Sequence, residues 1–252
     1  MPLGNICERL SALSFDGVEL LGDLALYSAA EATSVLRDHG LRPFSLTPEN
    51  VDLAHPDETV RQEALDYYLR LLAFAAELGE PLVSCHGYVG RVKPMATMAR
   101  EYGWLVEAVC KIASQAEGLG LKMVFEVLNR YESHLVNTGE EALRLLNDVG
   151  QDNLGVLLDA YHMNIEERVP AETIRRVGER LWLYHMADSN RQAIGRGHTD
   201  FGAQLWALED IGYDGPIIFE CTAPGPDPFT PIKDEKSRPW LEKYLAESRS
   251  WF

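Results

Sequence analysis

The chain has 252 residues, 46% of them hydrophobic and 25% charged, with a formal net charge of -16. That is the composition of a globular protein with a large core, and its negative charge argues against nucleic acid or an anionic membrane as partner. No apolar run approaches the ~20 residues of a bilayer span, and no signal-peptide core opens the chain. Cys7, Cys85, Cys110 and Cys221 are widely spread without a CxxC pair, which fits buried thiols of a cytoplasmic protein better than a disulfide frame or a zinc knuckle.

In chain order, segment 5–13 (NICERLSAL) reads as a helix. Short apolar runs at 17–21, 42–46, 81–85, 122–126, 155–159, 181–185 and 216–220 then alternate with helical patterns at 28–39, 57–78, 94–118, 138–149, 164–178, 203–211 and 236–250. The runs are apolar on both faces, as in VFE, VLLD and IIFE, which is expected of parallel strands covered by helices. Within 57–78, Leu65, Leu69, Leu72 and Phe74 recur at helical steps. Gly79, Gly118, Gly120 and Gly150 stand where helices are expected to stop.

Unbroken βα units leave two architectures, a closed barrel or an open doubly wound sheet. Neither GxGxxG nor GxxxxGK[ST] occurs, which removes support from the nucleotide-binding open sheets. The expected fold is an α/β TIM (β/α)8 barrel forming one domain over 1–252, a length ordinary for that fold. The runs number seven, so the first strand is expected to be short or missing at the N-terminus, leaving two costly unpaired edges. A further expectation is that Met1 is an internal start and that residues upstream of it carry that strand.

Four consecutive runs end in a metal-competent side chain: Glu126 closes MVFE, Asp159 closes VLLD, His185 closes WLYH and Glu220 closes IIFE. The C-terminal strand ends of a TIM barrel converge on one mouth, so adjacent strands present such groups to a common point. Three carboxylates and an imidazole suit one divalent ion, Mn²⁺ first, with Co²⁺ or Mg²⁺ as alternatives. Any one of the four alone reads equally well as a helix cap or an ion-pair partner; repetition on four strands is what points to a metal.

Four further polar groups surround these. Glu132 lies six residues past Glu126, His162 three past Asp159 and Arg191 six past His185, while His86 closes an earlier run in VSCHG. They read as substrate contacts, against the ordinary reading of satisfied pocket histidines and a surface arginine. No Gly-rich phosphate loop stands at a strand end, and Lys233, Lys236 and Arg238 are the only cations in the last loop considered for a phosphate. A substrate without a phosphate group is expected.

The stretches FEVLNRYESHLVNT, GVLLDAYHMNIEE, HMADSNRQAIGRGHTDF and GYDGPIIFE carry a family resemblance. The sequence resembles the xylose isomerase-like barrel superfamily, most nearly the ketose 3-epimerases typified by D-tagatose and D-psicose 3-epimerases. The resemblance covers residues 81–220, and the loop CTAPGPDPFTPIKDEKSRP after Glu220 departs from it. It implies that Glu126, Asp159, His185 and Glu220 hold the metal and that Glu126 and Glu220 also form the acid–base pair. It further implies that Glu132, His162 and Arg191 hold a small sugar near its first two carbons. The expected activity is ketose C3 epimerisation, by two-glutamate proton transfer through a metal-bound enediolate. Alternatives are a hydroxypyruvate isomerase-like aldose–ketose isomerase and an inosose dehydratase-like lyase. An abasic-site endonuclease is remote, because it needs more histidines and a basic groove. A non-catalytic sugar-binding protein has no need of two glutamates and a full ligand set. A homodimer or homotetramer is expected from the resemblance.

Overall fold

A computed structural model describes residues 2–227 and 230–252; Met1, on which the internal-start expectation falls, lies outside the described residues, as do Pro228 and Phe229 of the last loop. The strands are β1 (Gly17–Leu21), β2 (Arg42–Thr47), β3 (Leu82–His86), β4 (Met123–Glu126), β5 (Leu154–Asp159), β6 (Leu181–Met186) and β7 (Ile217–Phe219). They pair in parallel in sequence order and wrap into a nearly closed barrel. Among the described residues β1 and β7 carry no pairing with each other. The seam between them is a groove of about 480 Å³ lined by Phe15, Gly17, Phe44, Ile217, Phe219 and Phe252, among others.

The helices are α1 (Leu3–Ala12), α2 (Ala29–Asp38), α3 (Glu58–Leu78), α4 (Met98–Gly118), α5 (Gly139–Val149), α6 (Ala160–Glu166), α7 (Pro170–Val177), α8 (Phe201–Asp210) and α9 (Ser237–Arg249). Most begin where a short polar side chain accepts one of the otherwise unpaired first-turn N–H groups: Ser28, Asp57, Thr97, Thr138, Asp159 and Asp200. Gly79 and Gly150 end α3 and α5 in the left-handed region, at φ 114° and 68°. Gly118 instead closes the last turn of α4, and Gly120, at φ 75°, makes the reversal.

Two local readings change. The single helix expected at 164–178 is two, because Pro170 lacks an N–H and is accommodated at the start of a new helix, α7. The earlier piece, α6, starts directly after Asp159 and carries His162. On α3 the buried stripe is Ala64, Tyr67, Tyr68, Leu71, Leu72, Ala75 and Leu78, whereas Leu69 is 44% exposed. Leu72 is buried and Leu65 and Phe74 pack against the core, so Leu69 alone leaves the expected stripe, and Tyr67 and Tyr68 join it.

Strand alternation places the site. Val124, Leu157 and Leu183 are fully buried and cluster with Ile218, and each precedes a metal-competent residue by two positions. Side chains two apart share a face, so this apolar layer fills the lumen directly beneath Glu126, Asp159, His185 and Glu220. The intervening Phe125, Leu158, Tyr184 and Phe219 point outward into the core shared with the helices.

Candidate metal centre in the barrel mouth

Glu126, Asp159, His185 and Glu220 each bring one ligand atom within 4.8 Å of the other three. Asp159 divides its carboxylate between two tasks: Oδ1 caps α6 by accepting the Tyr161 N–H at 2.9 Å, while Oδ2 is buried without a hydrogen-bond partner. A buried carboxylate oxygen left unpaired is costly, and a cation at the centre of the cluster removes that cost. Burial, and then crowding by neighbouring carboxylates, raises Glu126 above the ordinary range. Burial likewise raises Asp159, against the pull of Arg191. Both shifts are those of carboxyl groups crowded together away from water. Hard oxygen donors with one imidazole fit a divalent cation.

Glu220 behaves differently. Enclosure by the barrel mouth pushes its pKa up although its side chain is 38% exposed, but the Arg191 guanidinium and the His185 ring outweigh this and hold it below the carboxylate range. Arg191 Nη2 donates to Glu220 Oε1 at 2.7 Å. Its Nε and Nη1 are buried without hydrogen-bond partners, Nη1 lying 3.9 Å from Glu132 Oε1, and its guanidinium lies 4.6 Å from the centre of the Tyr161 ring. Far from being a surface cation, Arg191 is 5% exposed and directed into the cluster. Its backbone has φ 57°, a conformation non-glycine residues seldom adopt. The turn that holds it is built on Asp188, whose carboxylate accepts the N–H groups of Ser189, Gly195 and Thr199.

His162 is buried, and its Nδ1 accepts from Asn129 Nδ2 at 2.7 Å. The same Asn129 amide donates to Glu132 Oε1 at 2.6 Å. Desolvation, and then Arg191, lowers the His162 pKa to about 3, so the ring is neutral and its Nε2–H faces Asp159 Oδ2 at 3.5 Å. His86 donates Nδ1–H to the Gly87 carbonyl at 2.8 Å, and burial lowers its pKa, leaving Nε2 as an acceptor. The structure thus gathers Glu132, His162 and Arg191 around the cluster, with His86 buried at the end of the neighbouring β3.

Sequence reasoning passed over two participants. Asn129 orients both His162 and Glu132, and its only signal was its place in the NRYES loop. Glu19, on β1, lies 3.3 Å from His185 Nε2 and accepts from the Ser45 hydroxyl; a glutamate inside the apolar run GVELL was the available signal. The loop carrying Glu132 is anchored by a separate buried network. His134 Nε2 meets Glu101 Oε2 at 2.7 Å, and Arg91 pairs with Asp52 and Glu101.

A parallel βα barrel with a metal-competent cluster in its C-terminal mouth defines a class, the TIM-barrel enzymes. Residues 7–244 match the profile of one family within it, the xylose isomerase-like TIM barrel, and the chain belongs to that family. It is 35% identical over 218 residues to a ketose 3-epimerase of Arthrobacter globiformis, covering 84% of this chain and 75% of that one. It is 33% identical over 227 residues to a D-psicose 3-epimerase of Agrobacterium fabrum, covering 86% and 78%. The crystal structure of a Clostridium cellulolyticum H10 D-psicose 3-epimerase with D-tagatose superposes with a TM-score of 0.87 at 26% identity, over 100% of this chain and 92% of that one. These relatives are epimerases, of the isomerase class.

Proposed function

We propose that this chain is a divalent-metal-dependent ketose 3-epimerase acting on an unphosphorylated sugar, with the whole chain as one catalytic domain. The observation that carries the reading is the placement of two carboxyl groups, Glu126 and Glu220, at strand ends on either side of Asp159 and His185. Glu126, Asp159, His185 and Glu220 would hold the ion, with Mn²⁺ preferred and Co²⁺ or Mg²⁺ as alternatives. When bound, the ion supplies Lewis-acid polarisation of the substrate carbonyl.

Inversion at C3 needs a base on one face and an acid on the other. Glu220, held ionised by Arg191, takes the C3 proton, and the C–H electron pair moves into the C2–C3 bond as the carbonyl oxygen gains charge. Glu126, on the strand end at the other side of the cluster, returns a proton to the opposite face, and the roles reverse for the other epimer. The unpaired Nη1 of Arg191 and the Nε2–H of His162 serve the oxygen on which charge develops. Glu132 and the acceptor nitrogen of His86 hold sugar hydroxyls. Lys233 Nζ donates to the Ala223 carbonyl of its own loop, which supports a substrate without a phosphate.

With Mn²⁺-loaded enzyme and a ketose panel in D₂O, deuterium should enter at C3. Exchange at C1 would establish the aldose–ketose isomerase instead, and loss of water the lyase. Glu220→Gln should abolish turnover, and near-normal activity in that variant excludes the two-base scheme. A cytoplasmic homodimer or homotetramer completes the proposal; no described helix is long and apolar enough to cross a membrane.

A further inference from the structure

His185 lies between two carboxylates. Its Nδ1 is 3.3 Å from Oε2 of Glu220, and its Nε2 is 3.3 Å from Oε2 of Glu19. Glu220 belongs to the metal-competent cluster, whereas Glu19 lies outside it. Glu19 reaches this position from β1, across the barrel mouth from β6, and the Ser45 hydroxyl of β2 donates to the same Oε2. Its side chain is only 11% exposed. A carboxylate so enclosed, with one oxygen engaged by both a hydroxyl and a ring nitrogen, has little freedom to turn away.

An imidazole nitrogen binds a metal through its lone pair only if the other nitrogen carries the proton, and a fixed acceptor on that other nitrogen sets the tautomer and the plane of the ring. We propose that Glu19 is a positioning residue of the metal centre: it accepts Nε2–H of His185, so that Nδ1 presents its lone pair to the ion, and Ser45 holds Glu19 in that orientation. A purely structural reading makes the same contact a tie across the unpaired β1–β7 seam. The two readings separate, because a tie acts on folding whereas a positioning residue acts on the ligand nitrogen.

The inference rests on the metal-site reading above, and the experiment keeps the two apart. Mn²⁺ binding to the metal-free full chain is measured by calorimetry and by loss of the free-ion EPR signal, for wild type, Glu19→Gln and Ser45→Ala. Wild-type protein without stoichiometric Mn²⁺ binding overturns the metal site itself. With wild-type binding in place, Glu19→Gln should weaken affinity about 10–100-fold and Ser45→Ala less, the metal-free chains melting within a few degrees of wild type. In the Mg²⁺ complex, the nitrogen NMR shifts of His185 should report Nε2–H in wild type and a mixture of tautomers in Glu19→Gln. Affinity within twofold of wild type with an unchanged tautomer overturns the role of Glu19. If Glu19→Gln fails to fold, Ser45→Ala decides the matter by the same two readouts.

Discussion

Arg191 shows how a single side chain can set the chemistry of its neighbours. Its guanidinium holds Glu220 ionised, rests against the Tyr161 ring, and leaves two donors unpaired in a buried space. A planar fork does this and a lysine ammonium does not, since lysine offers one point charge and no matching second donor. Arg191→Lys should lower kcat/KM by about 10²-fold, on the scale of losing one donor to a developing oxyanion. Steady-state kinetics on the ketose that shows C3 exchange provides the check, and a loss below threefold would remove Arg191 from the reacting end of the site. The four proposed ligands are legible in the sequence because each closes an apolar run. The charge bias between Glu126 and Glu220 is not, since it depends on which carboxylate the Arg191 side chain meets.

At the scale of elements, the site stands on strand ends while its orientation comes from short turns. The turn 188–199 is organised by one buried carboxylate accepting several backbone N–H groups, with the Arg191 carbonyl fixed in addition by the Thr222 N–H at 2.8 Å. Replacing Asp188 by asparagine removes one acceptor oxygen and turns an amide N–H toward N–H groups. Asp188→Asn should destabilise the fold by about 1–3 kcal/mol, the range for leaving buried polar groups unpaired. It should also lower kcat/KM, because Arg191 loses the frame that keeps it at φ 57°. Denaturant titration and kinetics on the same preparation measure both effects. Helix starts in this chain are readable from local residues, yet the division of 164–178 at Pro170 and the inward turn of Tyr67 and Tyr68 are not. The first depends on the chain resuming a helix after the break, and the second on which face α3 turns to the sheet.

For the molecule as a whole, the proposed metal site should couple folding to metal and to pH. In the metal-free chain the pKa values of Glu126 and His185 are raised, by burial for the former and, against burial, by Glu19 and Glu220 for the latter. A raised folded-state pKa contributes stability at low pH that is lost as pH climbs toward the folded value. His162, whose pKa is lowered to about 3, has the opposite sign, as does His86: each destabilises the fold as pH drops through ~6.5, an effect that fades within about one pH unit above it. Between pH 6.5 and 8 the Tm of metal-free protein should therefore fall as pH rises. Ion binding needs deprotonated ligands, so the increase in Tm on adding Mn²⁺ should be larger at pH 8 than at pH 6.5. Calorimetric scans with and without Mn²⁺ at the two pH values test this, and an increment that shrinks with pH contradicts it.

By itself the sequence determined the repeated strand–helix plan and the four strand-end metal-competent residues, because both follow from short-range patterns: apolar runs of strand length, and a polar residue where each run stops. The seven-strand count was equally open to it. Only the tertiary structure decided that Glu19 from β1 meets His185 from β6, that Asn129 joins His162 to Glu132, and that Arg191 bonds Glu220. These contacts join residues 33, 29 or 166 positions apart. Nothing local encodes them: they arise when the barrel curls its strand ends around one point, and hydrogen bonding in a buried space selects the pairs.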